Sequence, residues 1–147
     1  MKPAYEIRVL RLNEVPFESK MDSPARVLEY WNNVIAKMPW YIPDREICVS
    51  MTLNTRYNVT GHSLVSLGSL NESVVGPREV FRCAVAMNAF AILVVHNHPS
   101  GDPSPSEADH RVTRKLVEAG HILQINLLDH IIIGSGKWWS FKEAGVV

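Results

Sequence analysis

The stretch VVHNHPSGDPSPSEAD, from Val94 to Asp109, decides how the rest of the chain is read. It opens as the end of a continuous apolar run, Phe90 to Val95, of the kind that forms a strand covered on both faces. His96 and His98 follow, one residue apart. On a strand, side chains at that spacing project to the same side, about 6.5–7 Å apart along the chain, which lets both imidazoles converge on one metal ion. Pro99, Gly101, Pro103 and Pro105 then constrain a turn. Ser106 and Asp109 stand where a helix begins, in the pattern of a capping box. A third ligand must come from outside the histidine pair, and Asp109, eleven residues beyond His98, is the candidate. Two imidazoles, a carboxylate and an open fourth position describe a catalytic zinc site, since structural sites are usually closed by four protein ligands. Ser106 is placed to cap the helix and face the metal at once.

Outward from this stretch, helices alternate with strands. Tyr5 to Leu12 alternates in polarity and predicts an N-terminal strand. Ser23-Pro24 predicts a helix start, Ser as N-cap and Pro at the first helical position. Val27, Leu28, Trp31, Val34, Ile35 and Met38 continue it at helical spacing until Pro39 and Pro43. Glu46 to Asn54 predicts a strand with Ile47, Val49, Met51 and Leu53 on one face and Glu46, Cys48, Ser50 and Thr52 on the other. Val59 to Leu70 is its expected hairpin partner. Pro77 opens a helix with Val80, Phe81, Ala84, Val85 and Asn88 in one stripe. Ser106 to Ala119 predicts a helix ended by Gly120. His121 to Gly134 predicts a long strand, and Lys137 to Phe141 a short one. This order describes an α/β domain, a mixed β-sheet flanked by helices.

A chain of 147 residues is long enough to bury a core without staples. Its 46% hydrophobic and 20% charged content belongs to a globular protein. No apolar run approaches the ~20 residues that cross a bilayer, and MKPAYEIRVLRLNE does not read as a signal peptide, so a cytoplasmic location and no membrane partner are expected. Cys48 and Cys83 sit far apart in apolar segments and are expected to be free thiols. A net charge of zero gives no overall pull toward nucleic acid. Arg111, Arg114 and Lys115 are expected to form the solvated face of a helix.

Other metal motifs fail on spacing. A nucleobase deaminase needs H-x-E and P-C-x-x-C, and a zincin needs H-E-x-x-H; neither string is present. A hydrolytic zinc site also needs a carboxylate to take the proton from water. Glu46 fits, at the start of a strand and opposite the Ile47 row; Glu72, Glu79 and Glu107 compete, and spacing does not choose. Asp102, Asp129 and His130 are candidates to orient the imidazoles. His62, His110 and His121 read as surface or packing histidines.

The pattern Glu46…His96-Asn97-His98-Pro99…Ser106-Glu107-Ala108-Asp109 resembles the JAMM metalloprotease motif, E…H-x-H-P…S-x-x-D. Its flanks, GSLNESVVGPREVFRCAVAMNAFAILVV and LLDHIIIG, are similar to the bacterial RadC-like members of that group. The resemblance covers about Arg45 to Gly136. It implies a JAB/MPN domain of cytidine-deaminase-like architecture over residues 44–147, preceded by a strand-and-helix extension over 1–43. It implies zinc held by His96, His98 and Asp109, Glu46 as general base, and Ser106 stabilising the tetrahedral intermediate. The implied activity is that of a zinc-dependent metallopeptidase or isopeptidase acting on an unidentified peptide or protein. Two alternatives accompany it: a DNA-repair-associated protein acting on or with DNA, and a non-catalytic MPN scaffold. RadC-like chains often carry a helix–hairpin–helix unit ahead of this domain, and the first 43 residues show no such pattern. The loops upstream of the motif are short, so ubiquitin-type specificity is not expected.

Overall fold

Ser23 and Pro24 start the first helix as the sequence predicts. The Ser23 side chain accepts a hydrogen bond from the Arg26 amide at 3.4 Å, and Pro24 opens α1, Pro24–Asn33. The helix does not run on to Met38. It breaks at Val34 into a short 3₁₀ turn, Ile35–Lys37. Pro39 pushes the residue before it out of the helical region, and Met38 is extended at φ −69, ψ 144. Val34 and Ile35 are nevertheless buried, so the apolar spacing reported burial beyond the helix.

The computed structural model describes residues 1–6, 8, 11, 13–14, 20–68 and 75–147. Half of the residues of the strand expected at Tyr5 to Leu12 lie outside the described residues, as do the last residues expected of the second strand and Glu72.

Among the described residues five strands follow: β1 (Ile47–Leu53), β2 (Val59–Leu67), β3 (Ala91–Asn97), β4 (Asn126–Ile133) and β5 (Trp138–Ser140). Between them run α2 (Pro77–Ala86) and α3 (Glu107–Leu123). The sheet order is β2-β1-β3-β4-β5. All neighbours are antiparallel except β3 and β4, whose parallel pairing needs the crossover that α3 supplies. The predicted hairpin of β1 and β2 forms, turned by Asn54, whose Oδ1 accepts from the Arg56 and Asn58 amides.

The sheet is covered on both sides. Ile47, Val49, Met51 and Leu53 of β1 join Ala91, Leu93 and Val95 of β3 in a core under α1. Cys48, Ile92 and Val94 join Val80, Phe81 and Ala84 of α2 and Val112 and Leu116 of α3 in a second core. Both cysteines are free, Cys48 buried and Cys83 half-buried. No described helix is long and apolar enough to cross a membrane.

Three boundaries depart from expectation. In α2 the buried stripe is Val80, Phe81 and Ala84; Val85 is 51% exposed and Asn88 lies past the helix at φ 50. Gly120 does not end α3. It sits inside the helix because a Cβ there would meet the Ile125 carbonyl oxygen at 2.8 Å and the Leu127 nitrogen at 3.2 Å. The helix therefore continues through His121, Ile122 and Leu123 and stops at Gln124, in the left-handed conformation, and β4 starts only at Asn126.

Gly134 marks a second close approach. Its Cβ would fall on the Gly101 carbonyl oxygen and within 2.9 Å of Pro103 Cδ, in the turn that carries His98. Gly134→Ala is expected to cost about 1–3 kcal/mol through overpacking, read in denaturant unfolding. Gly61→Ala, whose Cβ would make only a 3.5 Å contact with Thr52 Oγ1, is expected to change little.

Candidate metal centre

The antiparallel ladder of β1 and β3 sets Cys48 opposite His96. Glu46, two residues before Cys48 and on the same face, therefore stands beside the end of β3, where His96 and His98 lie. After the proline-rich turn, α3 starts at the same end of the sheet. Its capping box is complete: Ser106 Oγ accepts from the Asp109 amide at 3.1 Å, and Asp109 Oδ2 accepts from the Ser106 amide at 2.8 Å. That reciprocal pair aims the Asp109 carboxylate at the histidines.

The ligand atoms of Glu46, His96, His98 and Asp109 all lie within 4.8 Å of one another. His96 Nε2 is 3.2 Å from His98 Nε2 and 3.3 Å from Asp109 Oδ1. His98 Nε2 is 3.4 Å from Asp109 Oδ2, and Glu46 Oε1 is 3.7 Å from both imidazole nitrogens. His96 and Asp109 are buried, while the side chains of His98 and Glu46 are 16% and 21% exposed. Solvent therefore reaches the cluster from the His98 and Glu46 side. Glu79 instead pairs with Arg78, and neither it nor Glu107 belongs to the cluster.

The nitrogens facing the cluster can be assigned for His98 directly. Its Nδ1 lies 2.9 Å from the Asp102 backbone carbonyl oxygen, which only accepts. Nδ1 thus carries a proton, so Nε2 is the nitrogen whose lone pair is left for a metal when the ring is neutral. The Asp109 carboxyl is held far below the usual carboxylate range: burial alone raises it, and hydrogen bonds with His96 and His98 more than reverse this. The hydrogen bond with Asp109 also raises His98. These directions describe a site that favours positive charge at its centre. Two imidazole nitrogens with carboxylate oxygens around them form a donor set suited to zinc or a related divalent ion, so the residues present fit a metal.

The surrounding groups only partly match the sequence reading. Asp102 orients His98 through its backbone; its carboxylate accepts from the Ser104 amide and hydroxyl instead. Asp129 faces away, accepting from Ser140 Oγ at 2.6 Å and the Lys142 amide at 3.0 Å. His130 is the residue against His96, Nε2 to Nδ1 at 2.8 Å. Its full burial holds it well below the ordinary histidine value. His62 contacts the Tyr30 hydroxyl at 2.6 Å, His110 packs edge-on against Phe141, and His121 is exposed on α3. A cavity of about 220 Å³ beside Ser23, Leu93, Asp129 and Ile131 opens on the α1 side of the sheet, away from the cluster.

Two residues escaped the sequence reading. Thr113, one helical turn after Asp109, touches His130. Asn97, the residue between the histidines, accepts from the Ile47 amide at 2.7 Å and donates to the Arg45 carbonyl at 3.0 Å. It grips the backbone on both sides of Glu46. The only sequence signal was a polar side chain at the buried end of an apolar strand.

The RadC-like JAB domain family matches residues 21–146. Among curated proteins, the chain is 44% identical over 128 residues to a UPF0758 protein of Trichlorobacter lovleyi, covering 87% of this chain and 54% of that one. It is 54% identical over 104 residues to a UPF0758 protein of Moorella thermoacetica, covering 71% and 45%. A UPF0758 protein of Caldanaerobacter subterraneus is 43% identical over 146 residues, covering 99% and 60%. The chain thus spans about half the length of the curated relatives it matches.

Asn97→Leu keeps the size of the side chain and removes both hydrogen bonds to the β1 backbone. It is expected to cost about 1–3 kcal/mol, the penalty of leaving the buried Ile47 amide unpaired. Denaturant unfolding and faster hydrogen exchange at Ile47 are the measurements that check it.

Proposed function

This chain belongs to the RadC-like JAB domain family, and we propose that it is a zinc-dependent metallopeptidase or isopeptidase. The observation that carries the proposal is the half-open cluster itself: two imidazole nitrogens 3.2 Å apart, a buried carboxylate against both, and a second carboxylate on the solvent side. In this reading His96, His98 and Asp109 would hold the ion. Bound zinc supplies a Lewis acid that makes water deprotonable near neutral pH and polarises a carbonyl group.

The remaining chemistry falls to the side chains. Glu46 stands across the open side, 3.7 Å from both histidine nitrogens. Its carboxylate takes a proton from the water that attacks the peptide carbonyl and delivers it to the nitrogen as the C–N bond breaks. Ser106 Oγ accepts from the Asp109 amide and so keeps its own proton to donate to the developing oxyanion. Asp109, fixed by its capping box, cannot swing away from the histidines. The buried His96 closes the inner wall, so substrate enters over His98 and Glu46. The substrate class is a peptide or protein amide. The unpaired thiols of Cys48 and Cys83 suit a reducing compartment such as the cytoplasm.

Zinc content and cleavage of a peptide library test the proposal. The parent chain is expected to bind zinc and to lose activity to a chelator, with zinc restoring it. His96→Ala is expected to lose the metal. Glu46→Gln is expected to retain zinc while its rate falls by roughly 10²–10⁴, the usual share of a general base. Ser106→Ala is expected to lower kcat by roughly 10²–10³ and stability by about 1 kcal/mol through loss of the cap. A parent chain that binds no zinc refutes the proposal; a fully active Glu46→Gln removes Glu46 from the mechanism.

A further inference from the structure

We propose that Thr113, acting through His130, sets the tautomer of His96 so that its Nε2 lone pair faces the cluster. Both are positioning residues, and the inference rests on the reading of His96 as a metal ligand.

The assignment starts from one hydroxyl proton. Thr113 Oγ1 lies 2.7 Å from the Asp109 backbone carbonyl oxygen and 2.7 Å from His130 Nδ1. A carbonyl oxygen only accepts. If the hydroxyl proton pointed at His130, two oxygens would face each other at 2.7 Å with no hydrogen between them. Thr113 therefore donates to the Asp109 carbonyl and accepts from His130 Nδ1–H. His130 then has a bare Nε2, which accepts from His96 Nδ1–H at 2.8 Å. That fixes a proton on His96 Nδ1 and leaves Nε2, 3.2 Å from His98 Nε2 and 3.3 Å from Asp109 Oδ1, as the nitrogen available to a metal.

The surroundings hold this arrangement in place. Thr113, His130 and His96 are each 0% exposed, so bulk water does not compete for their hydrogen bonds. Phe141 stacks on the His130 ring at 4.9 Å and 16°, which opposes a ring flip that would exchange the two nitrogens. The chain of bonds begins at the backbone of Asp109 and ends at the imidazole its own carboxylate faces. The two histidines thus obtain the same tautomer by different means. The partly buried His98 uses the Asp102 carbonyl beside it, and the fully buried His96 uses a relay from the neighbouring helix.

Thr113→Val keeps the shape of the side chain and removes the hydroxyl. Either tautomer of His130 then leaves Nδ1 unpaired, and the preference for a bare Nε2 is lost. When the proton sits on His130 Nε2, His96 must accept it at Nδ1 and carry its own proton on Nε2, where a metal has to displace it. Loss of an outer partner of a metal-bound histidine typically weakens binding 10–100-fold.

The test combines nitrogen-15 NMR of histidine-labelled, metal-free protein with zinc affinity measured by chelator competition. In the parent chain His96 and His130 are expected to show the Nδ1-protonated tautomer. Thr113→Val is expected to mix the tautomers of both residues and to weaken zinc roughly 10–100-fold, and Thr113→Ser to restore both properties. A parent chain whose His130 carries its proton on Nε2 overturns the inference. So does a folded Thr113→Val that binds zinc as tightly as the parent. If the parent binds no zinc, the metallopeptidase reading fails, and the metal-free tautomer signals still decide the relay. They decide it also if Thr113→Val does not fold.

Discussion

The register of β1 against β3, with Cys48 opposite His96, is the constraint on which the candidate site depends. A one-residue slip would turn His96 toward α1 and Glu46 away from it, because side chains alternate along a strand. The register is fixed by burial on both sides. Val49, Met51, Leu93 and Val95 fill the core under α1, and Cys48, Ile92 and Val94 fill the one under α2 and α3. Neither set can be exchanged for the other without exposing or overfilling a core. Asn97 then extends the ladder past its last rung. Its amide pairs with the Ile47 amide and the Arg45 carbonyl, and the Gly68 amide donates to the Glu46 carbonyl at 2.7 Å from the other side. Glu46 therefore sits on a backbone gripped from both edges.

Burying so much polarity has a cost that local hydrogen bonds offset. Asp109 lies with two imidazoles in a nearly dry environment, and the capping box gives one carboxylate oxygen a backbone donor. His130 finds a partner at each nitrogen, Thr113 on one side and His96 on the other. Unsatisfied, each of these groups would cost free energy comparable to a lost hydrogen bond. What remains at the centre of the cluster is two imidazole nitrogens and two carboxylates crowded within 4.8 Å of one another. A cation placed there answers both carboxylates at once, so metal binding and stability are expected to be coupled in this fold.

Features encoded locally were legible in the sequence. Ser23-Pro24 and Ser106…Asp109 announced helix starts because capping depends on residues three apart. The His-x-His spacing announced convergence because a strand dictates it. Glu46 was different. Its place in the cluster comes from strand pairing between segments far apart in the chain, which no spacing reveals, and the family resemblance alone separated it from Glu72, Glu79 and Glu107. Gly120 misled for a physical reason: a glycine late in a helix signals termination, yet here it admits the backbone of Ile125 and Leu127. The expectation of strand at His121 to Leu123 follows from that signal, and the structure has helix there.

The choice between Asp129 and His130 shows how a single residue decides an outer partner. Along β4 the register with β3 shifts between Ile92 and Leu93, so that Ile92 pairs with Leu127 and Leu93 with Asp129. Leu128 is the extra residue. Without the shift, strict alternation from Leu127 would put Asp129 on the face of His96 and His130 on the face of α1. With it, Leu127 and His130 share a face although they are three apart. Asp129 turns instead to Ser140 and the Lys142 amide, where it fastens β5 and the C-terminal turn. A carboxylate behind His96 would have added negative charge to a site that already holds two carboxylates. An imidazole supplies the same acceptor without the charge, and its second nitrogen passes the orientation on to Thr113. The irregularity in β4 thus selects a neutral partner for the buried histidine, a choice that neither motif nor periodicity could express.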